Sequence, residues 1–258
     1  MREKLKVIKI GGKMVDDRDK LSNILDGFAA IQHKCILVHG GASQTDQLLT
    51  KLGIEQVKHD GRRITDKATL DVCVMVYAGL LNKQIIANLS KRGVKAVGLS
   101  GADLNAIEAH RRPVADIDFG YVGDIDNVDQ DAIDALLKAN IKPVFCSITH
   151  DNHGQLFNTN GDTIAASLAL AFQDRYDVEL LFIFDRDGVV QTLDNIESVI
   201  PNLNPDKFQK MLEEGQIKDG LIPKLTNGFE ALKKGIAVRM GNPSIMVSET
   251  SGTKLQIP

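Results

Sequence analysis

Cysteine is scarce in this chain: three in 258 residues. Cys35, Cys73 and Cys146 are far apart, form no C-x-x-C pair and each lies in an apolar run. That is the pattern of buried, reduced thiols rather than of a disulfide framework. A surplus of positive charge is also missing, since 31 Lys and Arg stand against 34 Asp and Glu, for a formal net charge of −3. An electrostatic nucleic-acid binder would carry a basic excess or stripe, so nucleic acid is not the expected partner. No apolar run approaches the ~20 residues of a membrane-spanning helix. The first strand begins within about five residues of the start, which leaves no room for a signal peptide. Repeats and low-complexity segments are absent. The expectation is a soluble, cytoplasmic protein of one or two domains, with 43% hydrophobic residues available for a large core.

What the chain does contain is an alternation of short β-branched runs with longer amphipathic segments. Strands are predicted at 5–10, 35–38, 96–99, 143–147, 180–184 and 237–240. Helices are predicted at 20–33, 42–51, 67–92, 129–140, 161–172, 205–214 and 223–234. Strands that read as unbroken apolar runs between helices indicate an α/β fold, a doubly wound, mainly parallel sheet sandwiched by helices. Ligands of such sheets sit beyond the carboxyl ends of the strands. The polar stretch 16–20 reads as a loop, and 107–128, rich in charge, Gly, Asp and Pro, as a β-hairpin excursion over the main sheet. A polar stretch at 173–178 marks a boundary between two lobes.

The first strand carries Lys9 among apolar residues and runs into Gly11-Gly12; the second ends at His39-Gly40-Gly41-Ala42. Strand, glycine turn and helix start together offer unpaired N–H groups to an anion. A charge in an apolar strand is costly unless an anion or partner receives it, although an edge lysine can snorkel to water. Asn158-Thr159-Asn160-Gly161-Asp162 precedes an alanine-rich helix, where Asn and Asp commonly cap. An aspartate there can instead hold lysines in their charged form. In Gly61-Arg62-Arg63-Ile64-Thr65, either arginine fork suits a carboxylate, and spacing does not rank the two. Lys224, beside Pro223 in a first helical turn, opposes the helix dipole unless an anion is near; Lys233 and Lys234 lie in a last turn where cations are favoured. Asp185-Arg186-Asp187-Gly188 lacks the spacing of a calcium loop and reads as a turn. His150-x-x-His153 sits in a polar loop without further ligands nearby, so no metal site is expected from it.

Taken together, V-I-K-I-G-G, V-H-G-G, G-R-R-I-T, Asn82-Lys83, A-V-G-L-S-G-A-D, G-Y-V-G-D at 120–124, N-T-N-G-D and G-L-I-P-K resemble the amino-acid kinase family. Within it they are most similar to the acyl-glutamate kinases of arginine biosynthesis, in order and over essentially the whole chain. Uridylate kinase and aspartokinase share the early lysine–glycine turn but not the full set. The resemblance implies an acyl-glutamate-binding and dimerisation lobe at 1–175 and an ATP-binding lobe at 176–258. It implies transfer of the ATP γ-phosphoryl group to the side-chain carboxylate of an N-acyl-L-glutamate, with no covalent enzyme intermediate.

By the same resemblance Lys9 and Lys224 would flank the migrating phosphoryl group and Asp162 would orient both. Amides of Gly11, Gly12 and Gly41 would cradle oxygens. Arg63, with Asn158, would clamp the substrate α-carboxylate, and Ala42 and Asn160 belong to the same substrate-binding motifs. Asp185, Gly188, Val190, Ile217 and Lys218 match segments lining the nucleotide pocket, and Mg2+ would be held mainly by ATP phosphates. Several positions depart from the family pattern. Ala42 replaces a third glycine, Phe184 a Thr or Ser, Arg186 a valine, and Ala102-Asp103-Leu104 a Lys-Asp-Gly. Some relatives take N-succinyl-glutamate, whose extra carboxylate Arg62 would suit. The helix that precedes the first strand in arginine-inhibited hexameric relatives is not seen here, which implies a homodimer insensitive to arginine. The alternatives are another kinase of this fold, acting on glutamate, aspartate, carbamate or a nucleotide, or a non-catalytic sensor of amino acid or nucleotide.

Overall fold

The computed structural model describes residues 2–59, 62–193, 196–217 and 220–257. The apolar runs become strands β1 Lys4–Ile10, β2 Lys34–His39, β5 Ala96–Leu99, β8 Lys142–Cys146, β11 Asp177–Ile183 and β15 Ala237–Gly241. Shorter strands, which the periodicity did not reveal, are β3 Lys58–His59, β4 Arg62–Arg63, β9 Ile148–His150, β10 Leu156–Asn158, β12 Val190–Leu193, β13 Ile196–Val199, β14 Asn202–Leu203 and β16 Thr253–Leu255. The predicted excursion forms β6 Ile107–Arg111 and β7 Gly123–Val128, paired antiparallel.

Eight strands make one sheet in the order β14-β16-β15-β11-β1-β2-β8-β5, parallel except at β15–β16. A second sheet, β10-β9-β6-β7, stands beside it. The helices are α1 Gly12–Asp16, α2 Arg18–Ala30, α3 Ala42–Lys51, α4 Lys67–Val74, α5 Asn82–Lys91, α6 Gln130–Lys138, α7 Gly161–Phe172, α8 Pro205–Glu213 and α9 Ile222–Lys233. The polar boundary at 173–178 falls between the end of α7 and the early part of β11.

Two readings are corrected. The stretch 16–20 is not a loop: α1 runs to Asp16 and α2 starts at Arg18, with the Asp17 carboxylate accepting from the amides of Asp19 and Lys20. Its polar residues are a cap between two helices. Second, an apolar helix of membrane-spanning length is present: the helix expected at 67–92 runs unbroken over 67–91, with a π-helical stretch Met75–Leu81 joining α4 to α5. It has 25 residues, and an 18-residue window of it reaches a mean hydropathy of 1.4, enough to cross a membrane by length and composition. Its inward residues Val72, Cys73, Val76, Tyr77, Leu81, Ile85 and Leu89 are buried with Ile8, Ile10 and Leu37 of the sheet. It is a core helix by its packing.

Alternation along β1 assigns its two faces. Leu5 and Val7 pack with α6, α7 and α9, while Ile8 and Ile10 pack with α2 and the long helix. Lys9 shares the face of Leu5 and Val7, and its neighbours in register are Val38 and Phe182. The central strand therefore aims an ammonium at the layer that contains α7.

Candidate active site

The α7 helix starts with a division of labour. Asn160 caps it, its side-chain oxygen accepting from the amides of Asp162 (2.7 Å) and Thr163 (3.2 Å). Asp162 is thereby spared the capping task and turns its carboxylate elsewhere. Its Oδ1 lies 2.8 Å from Lys9 Nζ and its Oδ2 3.2 Å from Lys224 Nζ, in the first turn of α9. The Lys9 contact is an ion pair without the alignment of a hydrogen bond, so Oδ1 keeps unused accepting capacity. Gly161 makes the crossing possible, because a Cβ there would stand 2.9 Å from Ser147 Oγ and 3.4 Å from Lys9 Cε.

Lys9 and Asp162 are 6% and 4% exposed, so the electrostatics are those of a dry site. Burial lowers the Lys9 ammonium, Asp162 opposes it and repulsion from Lys224 adds to it, leaving the group at about 8. Burial alone would raise Asp162, but the two ammonium groups outweigh it and hold the carboxylate below its ordinary range. Two cations share one anion, leaving a surplus of one positive charge. Such a pocket attracts an anion.

Both glycine turns follow the predicted plan. Gly11 caps α1 at the end of β1, and Gly41 caps α3 just after β2. The turns abut: a Cβ on Gly12 would come within 3.2 Å of the Ala42 amide nitrogen. Gly41 admits no side chain, since its Cβ would reach 2.3 Å from Leu81 Cδ1 and 2.9 Å from Tyr77 Cδ1. Behind this turn lies a pair the motif reading left without a role. Asn82 Nδ2 donates to His39 Nε2 (3.1 Å) and to the Val144 carbonyl (3.0 Å), and His39 Nδ1 donates to the Gly40 carbonyl (3.0 Å). Burial lowers His39 to about 4, so the ring is a neutral strut at physiological pH. Gly98 leaves room for Asn82, whose Oδ1 would be 1.8 Å from any Cβ there.

Burial separates the two arginines. Arg62 is exposed; Arg63 is 7% exposed, and its Nη2 donates to Asp46 Oδ1 (2.6 Å) and the Ala42 carbonyl (3.3 Å). Its Nη1 is buried and has no partner among the described residues. Asn158 Nδ2 donates to Thr65 Oγ1 (3.1 Å), and the Asn158 amide donates to the Tyr121 carbonyl (2.9 Å). The hairpin excursion clasps the same segment, with the Tyr121 amide donating to the Thr65 carbonyl at 2.7 Å. Ala42 is the common neighbour of Gly12 and Arg63, so the arginine adjoins the glycine turns.

The nucleotide candidates are less gathered. Asp185 is exposed in the turn after β11, Gly188 is buried against Thr253 and Val199, and Val190 opens β12. Ile217 is buried in the core with Leu225 and Phe229 just before α9. Lys218 lies outside the described residues. His150 is buried and His153 exposed, and among the described residues no group of three or more His, Cys, Asp and Glu is placed to hold a metal ion.

Residues 4–242 match the model of the amino acid kinase family. The chain belongs to that family. It is 43% identical over 256 residues to an acetylglutamate kinase of Bacteroides fragilis, covering 99% of this chain and 98% of that one. An acetylglutamate kinase of Phocaeicola vulgatus is equally similar, at 43% with 99% and 100% covered. In fold the chain is similar to N-acetylglutamate synthase of Neisseria gonorrhoeae (TM-score 0.83, 22% identity, 99% of this chain and 60% of that one). It is also similar to carbamate kinase of Giardia lamblia (TM-score 0.68, 15% identity, 99% of each chain). The doubly wound α/β reading holds, and the chain shares its architecture with enzymes that transfer phosphoryl groups.

Proposed function

We propose that this chain is an acetylglutamate kinase: it transfers the γ-phosphoryl group of ATP to the side-chain carboxylate of N-acetyl-L-glutamate, in arginine biosynthesis. A carboxylate oxygen attacks phosphorus, the bond to the β–γ bridging oxygen breaks, and ADP leaves with the electron pair. The attacking carboxylate is already ionised at neutral pH, so the reaction asks for no general base. It asks for alignment and for positive charge where negative charge builds up. The observation that carries this reading is the buried bridge of Asp162 between Lys9 and Lys224. Its surplus charge suits the transferring group, and the carboxylate keeps both cations aimed and favours the charged form of Lys9.

Arg63, with Nη1 buried and unpartnered among the described residues, suits the substrate α-carboxylate, and Asn158, Asn160, Gly41 and Ala42 would serve the same substrate. Gly11 and Gly12 would meet phosphate oxygens, while Asp185, Gly188, Val190, Ile217 and Lys218 would serve the nucleotide. The lobes 1–175 and 176–258 would divide acceptor from nucleotide. Mg2+ would enter on the phosphates of ATP and neutralise their charge, because Asp162 is already committed to two ammonium groups. The exposed residues Met75 and Leu80 on the long helix, 60% and 48% accessible, suit burial in a homodimer. Three buried reduced cysteines suit a soluble, cytoplasmic enzyme that meets neither nucleic acid nor membrane.

The test is a panel of N-acetyl-, N-succinyl- and free glutamate, aspartate, carbamate and nucleoside monophosphates with ADP release as readout. Turnover on an acyl-glutamate, reduced at least ~100-fold in kcat by Lys9→Ala and by Lys224→Ala, is the expected result. Near-normal kcat in both variants would remove the mechanism. ATP binding without turnover of any acceptor would favour the sensor. A preference for succinyl over acetyl, abolished by Arg62→Leu, would give the exposed arginine its role.

A further inference from the structure

We propose that Asp46 is the positioning residue of the acceptor clamp, holding Arg63 so that its free nitrogen Nη1 meets the substrate carboxylate. The inference rests on the reading of Arg63 as that clamp. A guanidinium is planar and rigid, so fixing one of its nitrogens fixes the direction of the others. Arg63 Nη2 is the fixed one, 2.6 Å from Asp46 Oδ1 and 3.3 Å from the Ala42 carbonyl. Nη1 is the nitrogen left buried and unpartnered.

Asp46 is itself immobilised from three directions. Its Oδ2 accepts from Lys58 Nζ at 2.7 Å, its main-chain carbonyl accepts from Gln56 Nε2 at 2.8 Å, and its backbone belongs to α3. One carboxylate thus ties the β3–β4 hairpin to the helix that springs from the Gly41 turn. Four residues separate Ala42 from Asp46, which puts both contacts to Arg63 on one face of α3. The clamp and the second glycine turn are therefore aligned by the same helix.

A solvated ion pair would be the ordinary account of Asp46, whose side chain is 29% exposed. Partly exposed pairs contribute little to stability. The guanidinium it holds is nevertheless almost fully buried, and that asymmetry separates positioning from stabilisation. Removing Asp46 should let Arg63 swing, so the loss should concentrate in the acetylglutamate KM rather than spread evenly over every kinetic parameter.

The experiment measures steady-state kinetics of Asp46→Ala, Arg63→Ala and the double variant with ATP and N-acetyl-L-glutamate. A reacting group displaced by about 1 Å costs up to ~100-fold. Asp46→Ala is expected to raise KM for acetylglutamate by ~10-fold or more, with kcat and KM for ATP within ~3-fold. In the Arg63→Ala background the same substitution should add nothing, because two residues acting through one contact are not additive. Asp46→Glu, which keeps the charge on a longer arm, should recover part of the loss. An unchanged acetylglutamate KM in Asp46→Ala, with a raised one in Arg63→Ala, would overturn the proposal alone. An unchanged KM in Arg63→Ala would overturn the clamp reading beneath it. Equal losses in every parameter together with a lowered melting temperature would assign Asp46 to structure and also overturn the proposal. Should Asp46→Ala not fold, Asp46→Leu keeps side-chain bulk without an acceptor for Arg63, and a wild-type KM in that variant counts against the proposal.

Discussion

Replacing Asp162 with asparagine removes the negative charge that bridges the buried Lys9 and the partly buried Lys224 and changes almost nothing in volume. At an effective dielectric of about 20, unit charges 2.8 Å apart attract by on the order of 6 kcal/mol before desolvation is counted. Lys9 depends on that attraction, because even with Asp162 beside it burial leaves it at about 8, where about nine-tenths of it is charged at pH 7. Losing even ~2 kcal/mol of the attraction moves an ammonium by about 1.5 pH units, since one unit is 1.36 kcal/mol. Lys9 would then be mostly neutral at pH 7, and Lys224 would lose its anchor. The expected loss in kcat is ~100- to 1000-fold, the scale set by removing one charge-stabilising donor. The pH profile gives a sharper readout. The kcat/KM for ATP, which reports the free enzyme, should fall in the wild type above about pH 8 as Lys9 deprotonates. In Asp162→Asn this alkaline limb should move below pH 7. A variant with kcat within ~3-fold of wild type and an unmoved limb would refute the claim that Asp162 keeps the lysine charged.

Other outcomes follow from the same geometry. The buried His39 has its pKa lowered to about 4 from 6.5, so the unfolded chain binds its proton first as pH falls. Stability should decline from pH 6.5 to 4 by about 3 kcal/mol from this group, and denaturant titrations of His39→Gln across that window should lose that component of the slope. Gly98→Ala would thrust a methyl to 1.8 Å from Asn82 Oδ1, breaking the strut behind the second glycine turn. A loss of ~1–3 kcal/mol is expected by chemical denaturation, and a neutral result would show that Asn82 can move. Leu104 adopts φ 57° while 55% exposed, a left-handed conformation with no burial to offset it. Leu104→Gly should raise stability by ~0.5–1 kcal/mol, the left-handed penalty less the entropy of glycine; a lower melting temperature would refute that.

The Lys9–Asp162–Lys224 bridge was legible because chemistry and local structure pointed the same way. Lys9 is conspicuous only as a charge in an apolar strand, and the strand proved central, so the anomaly signalled a partner rather than an exposed edge. Asn160 and Asp162 looked alike as caps. The structure gives the cap to Asn160, which leaves the Asp162 carboxylate free to bridge. Spacing offered no choice between Arg62 and Arg63, because the distinction is one of strand facing. It depends on a two-residue strand pairing with Lys58–His59, a contact too short to leave a period in the sequence. Asp46 was hidden for the opposite reason. On an amphipathic helix a lone aspartate reads as a solvated face, and only the buried guanidinium folded against it sets it apart. Gly98, inside a strand, was the available sign of the His39–Asn82 pair, since a strand interior glycine often marks a close approach. The readable part of the site is therefore what one strand or one helix start must satisfy by itself. The remainder arises where a short hairpin, a glycine turn and a helix meet, and there the deciding quantity is which polar atom is left without a partner.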